Sequence, residues 1–399
     1  MWLWSPRIRT GASLKSPDKK EPCLLPWIEL HINTLGQLKT CCAQFDFLEE
    51  NKGASFREVF NGRNFKAIRN QFLASETPKV CAACVQAEAN GMSYKTVKSK
   101  QWSSYSKEIL DPKSQDKSFP VRFLDVRFGN LCNFSCRTCD SDNSSRWQKI
   151  DSIVGRKTTV VERVAKGVLL EQIYSVLDEV EEIYFAGGEP LLSEEHYLVL
   201  EEIIRRKRTN IKITYNTNLS LLSSHGRDVV DLWKKLDQVI VYPSIDSIKS
   251  QGEYIRSGFK WEQFEVNFNK IKMYVGCLHS VLSVYNVFSI SDLIMWAHSK
   301  DAMLSIFPAY HPVEISASIL PVEVRREAAD KIQKLISENK FSEWQLSQLN
   351  TAVEFLKNNH TPEHLEKFVH FNRSLDQFQK TELTEVFPEH LAWLGSIQQ

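Results

Sequence analysis

Three closely spaced cysteines lie in the middle of the chain, in the stretch Leu131-Cys132-Asn133-Phe134-Ser135-Cys136-Arg137-Thr138-Cys139. Their C-x3-C-x2-C spacing places three thiolates on one tight loop, directly after a predicted strand. Such a loop can bind three irons of a [4Fe–4S] cluster and leave the fourth iron open to a small molecule. A zinc ion that takes its fourth ligand from a distant cysteine is the alternative that these residues leave open.

From residue 121 to about residue 310, short β-rich runs alternate with longer amphipathic runs. This alternation is typical of parallel β/α units, so the sequence predicts an α/β fold. Predicted helices between the strands include residues 169–180 and 194–207, whose apolar side chains recur along one face. The predicted strands cover residues 122–128, 182–186, 211–217, 239–245, 282–289 and 303–307.

Polar residues follow several of these strands. Gly187-Gly188-Glu189-Pro190 ends the second strand, Asn218 ends the third, Ser244 and Asp246 end the fourth, and Arg256 comes shortly after. Glycines allow close approach of the backbone, and a carboxylate can bind an ammonium group. Because parallel strands assemble their sites at their carboxyl ends, we expect these groups to converge on one ligand.

The cysteine triplet, the Gly187–Pro190 element and the polar strand ends resemble the radical S-adenosylmethionine (SAM) enzymes over residues 121 to about 310. The resemblance implies a partial (β/α)6 barrel in which Cys132, Cys136 and Cys139 hold a [4Fe–4S] cluster whose open iron binds SAM. It further implies that Gly187, Gly188 and Glu189 receive the methionine ammonium. The remaining contacts, to the ribose or the methionine part, fall to Asn218, Ser244, Asp246 and Arg256.

One residue departs from the family pattern. The position before the last cysteine is usually aromatic or large and apolar, and here it is Thr138. The chemistry that the resemblance implies is reductive cleavage of SAM to a 5′-deoxyadenosyl radical, which takes a hydrogen atom from a substrate. The partners that it implies are SAM and a one-electron reductant such as flavodoxin or ferredoxin.

A second set of cysteines precedes this region. Cys23 and Cys41 flank a predicted hairpin that turns at Gly36, and a C-x2-C pair closes the set at Cys81 and Cys84. Four thiolates suit either zinc or an iron–sulfur cluster, and Cys42 is an alternative ligand to Cys41. The lone His31 in the hairpin is interpreted as a hydrogen-bonded histidine of the core or surface.

The spacing C-x12-G-x4-C with a later C-x2-C resembles the twitch module, a small α+β domain that carries an auxiliary [4Fe–4S] cluster. Together with the closing segments 371–376 and 387–388, it makes the chain resemble radical SAM proteins with an N-terminal twitch domain. Relatives of this kind often modify peptides or proteins, so the resemblance implies a peptide or protein substrate.

The length of 399 residues predicts more than one domain. We expect a twitch-like domain over residues 1–110, a polar linker over 111–120, the barrel over 121–320 and a helical C-terminal region over 321–399. The balance of 50 basic against 49 acidic residues argues against a broadly cationic nucleic-acid binder. Apolar runs fall short of a membrane span, and the N-terminus has no apolar run of signal-peptide length. The lack of such a run predicts a cytoplasmic protein. The odd number of cysteines, nine, predicts that they are reduced.

Two functions follow from these features. The first is a radical SAM oxidoreductase that acts on a C–H bond of an unidentified substrate, with a peptide or protein favoured. The alternative is a non-catalytic binding protein that keeps the barrel and is stabilised by zinc or a cluster.

Overall fold

The computed structural model describes residues 22–44, 46–50, 53–82, 84, 88, 94–114, 117–161 and 166–394. Residues 1–21, where the sequence predicts no signal peptide, lie outside these ranges. The strands are β1 (Glu29–Ile32), β2 (Gln37–Lys39), β3 (Glu49–Glu50), β4 (Phe123–Val126), β5 (Ser135–Cys136), β6 (Glu182–Phe185), β7 (Lys212–Thr217), β8 (Ser223–Ser224), β9 (Arg227–Asp228), β10 (Val239–Pro243), β11 (Arg256–Ser257), β12 (Leu278–Leu282) and β13 (Leu304–Pro308).

Helices follow most of the longer strands and make up the C-terminal region. They are α1 (Phe56–Phe60), α2 (Arg63–Leu73), α3 (Tyr94–Gln101), α4 (Ser106–Leu110), α5 (Lys166–Val176), α6 (Glu194–Arg205), α7 (Val229–Trp233), α8 (Lys249–Ile255), α9 (Trp261–Ile271), α10 (Ile290–Ser299), α11 (Val322–Glu338), α12 (Glu343–Asn358), α13 (Leu365–Gln379), α14 (Leu383–Val386) and α15 (Leu391–Leu394).

The chain divides into two compact units. Unit 1 contains residues 1–129, 161–214 and 231–239, and unit 2 contains residues 130–160, 215–230 and 240–399. Strand β7 begins in unit 1 and ends in unit 2. The predicted domain boundaries stay a prediction, because these units follow packing rather than the order of the chain.

Unit 1 is built on a mixed sheet. Strands β1, β4 and β6 are parallel, and their register aligns His31, Asp125 and Tyr184 in one row across the sheet. The hairpin of β1 and β2 turns at Gly36, whose φ of 75° suits glycine, and β3 continues the antiparallel edge. The hairpin predicted from the sequence is therefore confirmed, and it adds a parallel strand beside β4.

Unit 2 continues the parallel pattern. Ser244 N donates to Thr217 O at 2.8 Å, and parallel bridges join Ser244 to His279 and Val241 to Val275. Strands β12 and β13 are parallel over five residue pairs. In chain order β4, β6, β7, β10, β12 and β13 alternate with helices, which confirms the predicted α/β class with a partial barrel and a helical C-terminal region.

One predicted strand is wrong. The fifth strand is Leu278–Leu282 and not residues 282–289, of which 284–289 form turns that precede α10. Asn286 accounts for the difference, because its Oδ1 accepts a hydrogen bond from Ser283 N at 2.8 Å and its Nδ2 donates to Asp246 O at 2.7 Å. These side-chain bonds close a turn in an apolar run that otherwise resembles a strand.

The C-terminal helices cover the edge of β13 inside unit 2. Gln345 of α12 pairs with the backbone of Leu304, accepting from its N at 2.8 Å and donating to its O at 2.9 Å. Gln348 accepts from Ser305 Oγ at 2.9 Å. Helix α12 thus satisfies backbone groups of an edge strand that would otherwise be open to another chain.

Candidate functional site

The central cysteine loop lies in unit 2 and is held by a short antiparallel pair. Strand β5 pairs with β11, so that Cys136 lies opposite Arg256. Cys136 and Cys139 are buried and Cys132 is half-buried. Burial raises the pKa of Cys139 well above its usual value, and the neighbouring Asp140, Cys136 and Cys132 raise it further. All three thiols come from a stretch of eight residues, and the Cys132 and Cys136 thiols lie close enough to Cys139 to raise its pKa.

Asn218 lies against this loop. Its Nδ2 donates to Asn133 Oδ1 at 2.9 Å and lies 3.9 Å from Cys132 Sγ. Its Oδ1 accepts from Ser220 N at 2.9 Å, which fixes the amide in one orientation. The structure therefore brings the predicted residue Asn218 together with the first cysteine of the triplet.

Asp246 and Arg256 form a buried ion pair beside the loop. Asp246 Oδ2 accepts from Arg256 Nη1 at 3.0 Å, and its Oδ1 accepts from Val281 N at 2.9 Å. Burial alone lowers the pKa of Arg256, but Cys136, Asp246 and Cys132 raise it above its usual value. Ser244, which directly follows β10, is half-buried. Both carboxylate oxygens of Asp246 are therefore hydrogen-bonded within the protein. The Arg256 guanidinium interacts electrostatically with Cys136 and Cys132.

Three buried polar atoms, on the cysteine loop and on strands β7 and β11, have no hydrogen-bond partner within the described residues. They are Thr138 Oγ1, Asn216 Oδ1 and Arg256 Nε. Thr138 is 1% exposed and Asn216 is 8% exposed. A buried polar atom without a partner costs about 1–3 kcal/mol, so such atoms mark places where a ligand can supply a bond. Sequence reasoning assigned no ligand contact to Asn216 and treated Thr138 only as a departure.

The Gly187–Pro190 turn belongs to unit 1. Gly187 has a φ of 116°, and a Cβ there would lie 3.0 Å from Gly129 O and 3.1 Å from Arg127 Cβ. Gly188 N donates to Gly129 O at 3.2 Å, and Glu189 Oε1 accepts from Leu191 N at 3.1 Å. The turn therefore requires glycine, and it buries the Glu189 carboxylate beside the start of a helical turn.

The N-terminal cysteines come together in unit 1. Cys23 is affected electrostatically by Cys84, Cys81 by Cys23 and Cys84, and Cys41 by Cys81 and Cys23. Burial raises the pKa of Cys23 to about 12. Four cysteines that are up to 61 positions apart in sequence thus influence one another electrostatically, and their assignment to a common metal site stays a prediction.

Cys42 lies beside a different group. Its pKa is raised by burial and by the carboxylates of Asp125 and Glu29, and Tyr94 is its hydrogen-bond partner. The pKa of Cys41 is also raised by burial and by Glu29, but Cys41 additionally responds to Cys81 and Cys23. These neighbours favour Cys41 over Cys42 as the fourth member of the N-terminal set.

Cys42 borders a buried polar cluster on one face of the β1–β4 ladder. His31 Nδ1 lies 2.8 Å from Asp125 Oδ2, and Arg127 Nη1 is bonded to the other oxygen of Asp125. Glu29 accepts from Tyr94 OH at 3.2 Å. Burial lowers the pKa of His31 to about 4 and, with Asp125, raises that of Glu29 well above its usual range. Glu29, His31 and Asp125 are close enough to bind one ion, but Arg127 already supplies the positive charge there.

The donor atoms fit an iron–sulfur cluster at the central loop. Three thiols from one loop match three irons and leave one iron for another ligand, and Arg256 offers the positive charge that bound thiolates require. The orphaned atoms of Thr138, Asn216 and Arg256 add bonding capacity for a polar ligand beside them. The N-terminal set offers four thiols, which can bind every iron of a second cluster.

A comparison of the sequence with protein families identifies this region. The model of the radical SAM superfamily matches residues 126–285, which contain the cysteine triplet and all of the predicted SAM contacts. The match covers less than half of the chain. None of the curated proteins matches the chain.

A search of solved structures also finds matches to part of this chain. They include native anSMEcpe with bound AdoMet, at 17% identity, with a TM-score of 0.41, covering 56% of this chain and 63% of that one. Streptococcus suis SuiB bound to S-adenosylmethionine has 13% identity and a TM-score of 0.35, covering 62% and 51%. TYW1 with a lysine-pyruvate adduct has 17% identity and a TM-score of 0.32, covering 55% and 72%. The chain thus spans less than two thirds of the anSMEcpe structure.

Among the described residues, no helix has the length and apolar character that spanning a membrane requires.

Proposed function

Because residues 126–285 form a radical SAM domain, we propose that this chain is an enzyme that cleaves SAM reductively and abstracts a hydrogen atom from a peptide or protein. The observation that carries the proposal is the loop of Cys132, Cys136 and Cys139, whose thiols affect one another and lie against Asn218 and Arg256. When bound there, a [4Fe–4S] cluster supplies the electron that breaks a carbon–sulfur bond of SAM and so yields a carbon radical.

The residues around the loop have separate tasks in this proposal. Asn218 orients the first cysteine through Asn133, and Arg256 balances the negative charge of the thiolates. Asp246 orients Arg256, because both of its oxygens are already bonded within the protein. Thr138 Oγ1 donates to or accepts from SAM, and Asn216 Oδ1 accepts from SAM, through atoms that the described residues leave unpaired.

The remaining predicted residues contact the methionine part or the ribose of SAM. The backbone of Gly187 and Gly188 and the carboxylate of Glu189 receive the methionine ammonium. Glu189 suits this task because it is only 2% exposed and its Oε1 accepts from Leu191 N at 3.1 Å at the start of a helical turn. Ser244 contacts the ribose or the methionine part.

The N-terminal cysteines form an auxiliary site in this proposal. Cys23, Cys41, Cys81 and Cys84 bind a second [4Fe–4S] cluster, and their convergence in unit 1 supports this assignment. With a cysteine for each iron, electron transfer or stabilisation of the domain is a more natural task than ligation of a substrate. A flavodoxin or ferredoxin in the cytoplasm supplies the electrons.

The peptide or protein substrate rests on the twitch-like spacing of the N-terminal cysteines. Enzymes with this module often act on side chains presented by a longer chain. The proposal therefore predicts that a peptide, rather than a free amino acid, changes mass in the reaction.

Metal analysis of the anaerobically reconstituted chain tests the assignment. We expect about eight irons and about eight sulfides per chain, and an electron paramagnetic resonance (EPR) signal that shifts when SAM is added. Cys41→Ala should lose about four irons, whereas Cys42→Ala should keep all of them. Stoichiometric zinc without sulfide would instead support the alternative, a binding protein stabilised by zinc.

A further inference from the structure

An arginine lies inside the cysteine triplet and is fully enclosed. Arg137 follows Cys136 directly, and its relative exposure is 0%. Its backbone N donates to Ile255 O at 2.8 Å, and its guanidinium lies 3.7 Å from the centre of the Tyr254 ring. Burial of a guanidinium costs folding free energy unless its N–H groups are hydrogen-bonded. The hydrogen-bond partners of Arg137 therefore show what holds the loop in place.

Two of the four partners of its side chain lie in helix α13. Arg137 Nη2 donates to Asp376 Oδ1 at 2.6 Å, and Nη1 donates to Asn372 Oδ1 at 3.0 Å. Nη2 also donates to Thr381 Oγ1 at 2.7 Å, and Nε donates to Tyr254 O at 3.1 Å. One side chain of the cysteine loop is thereby tied to residues about 240 positions later in the chain.

Asp376 is itself fixed by its surroundings. Its Oδ1 accepts from Tyr254 OH at 2.9 Å and Thr381 Oγ1 at 2.8 Å. Its Oδ2 accepts from Asn372 Nδ2 at 2.7 Å and Leu383 N at 3.1 Å. The carboxylate therefore holds Arg137 in one position, because it cannot move without breaking these bonds.

The same helix supports the loop at three further points, two of them through Trp147 and Arg156 and one directly. Trp147 Nε1 donates to Cys136 O at 2.9 Å, and Arg156 Nη1 donates to Cys139 O at 3.2 Å. Both side chains rest on Phe371 of α13, with Trp147 stacked at 6.3 Å and the Arg156 guanidinium at 4.4 Å from the ring centre. Gln379 Nε2 also donates to Ser135 O at 3.3 Å.

We propose that α13 fixes the geometry of the cysteine loop, with Asp376 and Asn372 acting as positioning residues for the SAM cluster through Arg137. This inference rests on the proposed function. The segment 371–376, which the sequence associates with the family but without a role, thus acquires one. Groups that orient metal ligands from behind typically change metal affinity or activity by about 10–100-fold when they are replaced.

Two variants of the full chain test this inference. Asp376→Asn keeps the shape of the side chain but removes the charge that faces Arg137. The paired variant Arg137→Met with Asp376→Leu removes both charges, so it avoids an unpaired buried ion and should fold. Glu366→Gln on the exposed face of α13 is the matched control for loss of a carboxylate from this helix.

The measurements are thermal unfolding of the metal-free protein and the EPR spectrum of the reduced, reconstituted protein with and without SAM. We expect both variants to keep the signal that is insensitive to SAM and to lose iron from the SAM-sensitive site roughly 10–100-fold faster to a chelator. Glu366→Gln should match the wild type.

If the paired variant folds and its SAM-sensitive signal and rate of iron loss to the chelator equal those of the wild type, α13 packs against the cysteine loop without fixing its geometry. The inference is then wrong. If the wild type itself shows no SAM-sensitive signal, the proposed function fails, and the inference fails with it.

Discussion

At the scale of single residues, the site depends on positions that tolerate only one side chain. Gly187 is the clearest case, since a Cβ there would meet both Gly129 O and Arg127 Cβ at about 3 Å while φ stays at 116°. The glycine is therefore required for close approach between two loops of unit 1 and not only for a turn.

Replacement of this glycine should impair the enzyme. Gly187→Ala adds both a strained φ and a steric contact, so we expect a loss of about 1–3 kcal/mol in the free energy of unfolding. We also expect SAM cleavage to fall roughly a hundredfold, because a small displacement of a binding turn is costly. Gly155→Ala is the control, since Gly155 also has a positive φ but no atom within 4 Å of its Cβ position. Equal effects of the two variants on cleavage would contradict this account.

Buried His196 predicts a dependence of stability on pH. Burial lowers its pKa to about 3, so the folded protein keeps the ring neutral where the unfolded chain binds a proton. Because the unfolded state binds more protons below about pH 6.5, stability falls as the pH falls.

Removal of the titrating ring should reduce this dependence. Between pH 7 and pH 5, His196→Phe should lose about 2 kcal/mol less unfolding free energy than the wild type. Denaturant unfolding at both pH values measures this change in unfolding free energy. His360 is exposed, so His360→Phe should show the same change as the wild type. An unchanged pH dependence in His196→Phe would show that His196 is not held neutral.

Some of these residues are predictable from sequence and others are not. The cysteines, Asn218 and Gly187 lie at the ends of strands or in a short motif, so local spacing reveals them. Arg137 gives no such signal, because its partners Asn372 and Asp376 are distant in sequence. A charged residue between two cysteines is indistinguishable from a surface residue until the fold brings its partners to it.

At the scale of elements, strand patterning located five of the six strands of the α/β region but misplaced one. The run around residues 282–289 is apolar enough to predict a strand, yet Asn286 closes it into a turn. Strand β12 begins earlier, at Leu278, and its pairing with β13 decides its place. Competition between side-chain bonds and strand pairing is a tertiary effect that the local pattern does not contain.

The C-terminal helix pair offers a test at this scale. Arg325 of α11 is 1% exposed and donates to Leu320 O at 3.1 Å, Leu356 O at 2.7 Å and Asn359 O at 2.5 Å. Arg325→Met leaves these carbonyls without a donor, so we expect a loss of about 3 kcal/mol in unfolding free energy.

The matched control lies on the same helix. Arg326 is exposed, so Arg326→Met should stay within about 0.5 kcal/mol of the wild type. Denaturant unfolding of both variants measures the difference. Similar stabilities would mean that Arg325 does not join α11 to the end of α12.

At the scale of the whole molecule, seven of the nine cysteines form two sets. Cys132, Cys136 and Cys139 belong to unit 2, and Cys23, Cys41, Cys81 and Cys84 belong to unit 1. Cys42 lies with the buried polar cluster, and Cys277 is a buried thiol outside both sets. The sequence spacing predicts the grouping, but the separation of Cys41 from Cys42 needs the structure.

Because the two sets of cysteines lie in different units, the two proposed clusters should be separable by mutation. Cys81→Ala should lose about four irons and still give an EPR signal that shifts on addition of SAM. Iron analysis and EPR of the reconstituted protein measure both effects. Loss of the SAM-sensitive signal in Cys81→Ala would contradict two independent sites.

Measurement of 5′-deoxyadenosine after reduction with dithionite in the presence of SAM tests whether the loop of Cys132, Cys136 and Cys139 supports SAM cleavage. We expect the wild type and Cys277→Ala to form this product and Cys132→Ala to form none above background. Product formation that survives in Cys132→Ala, or that is absent from a wild-type protein carrying iron and sulfide, would contradict this expectation.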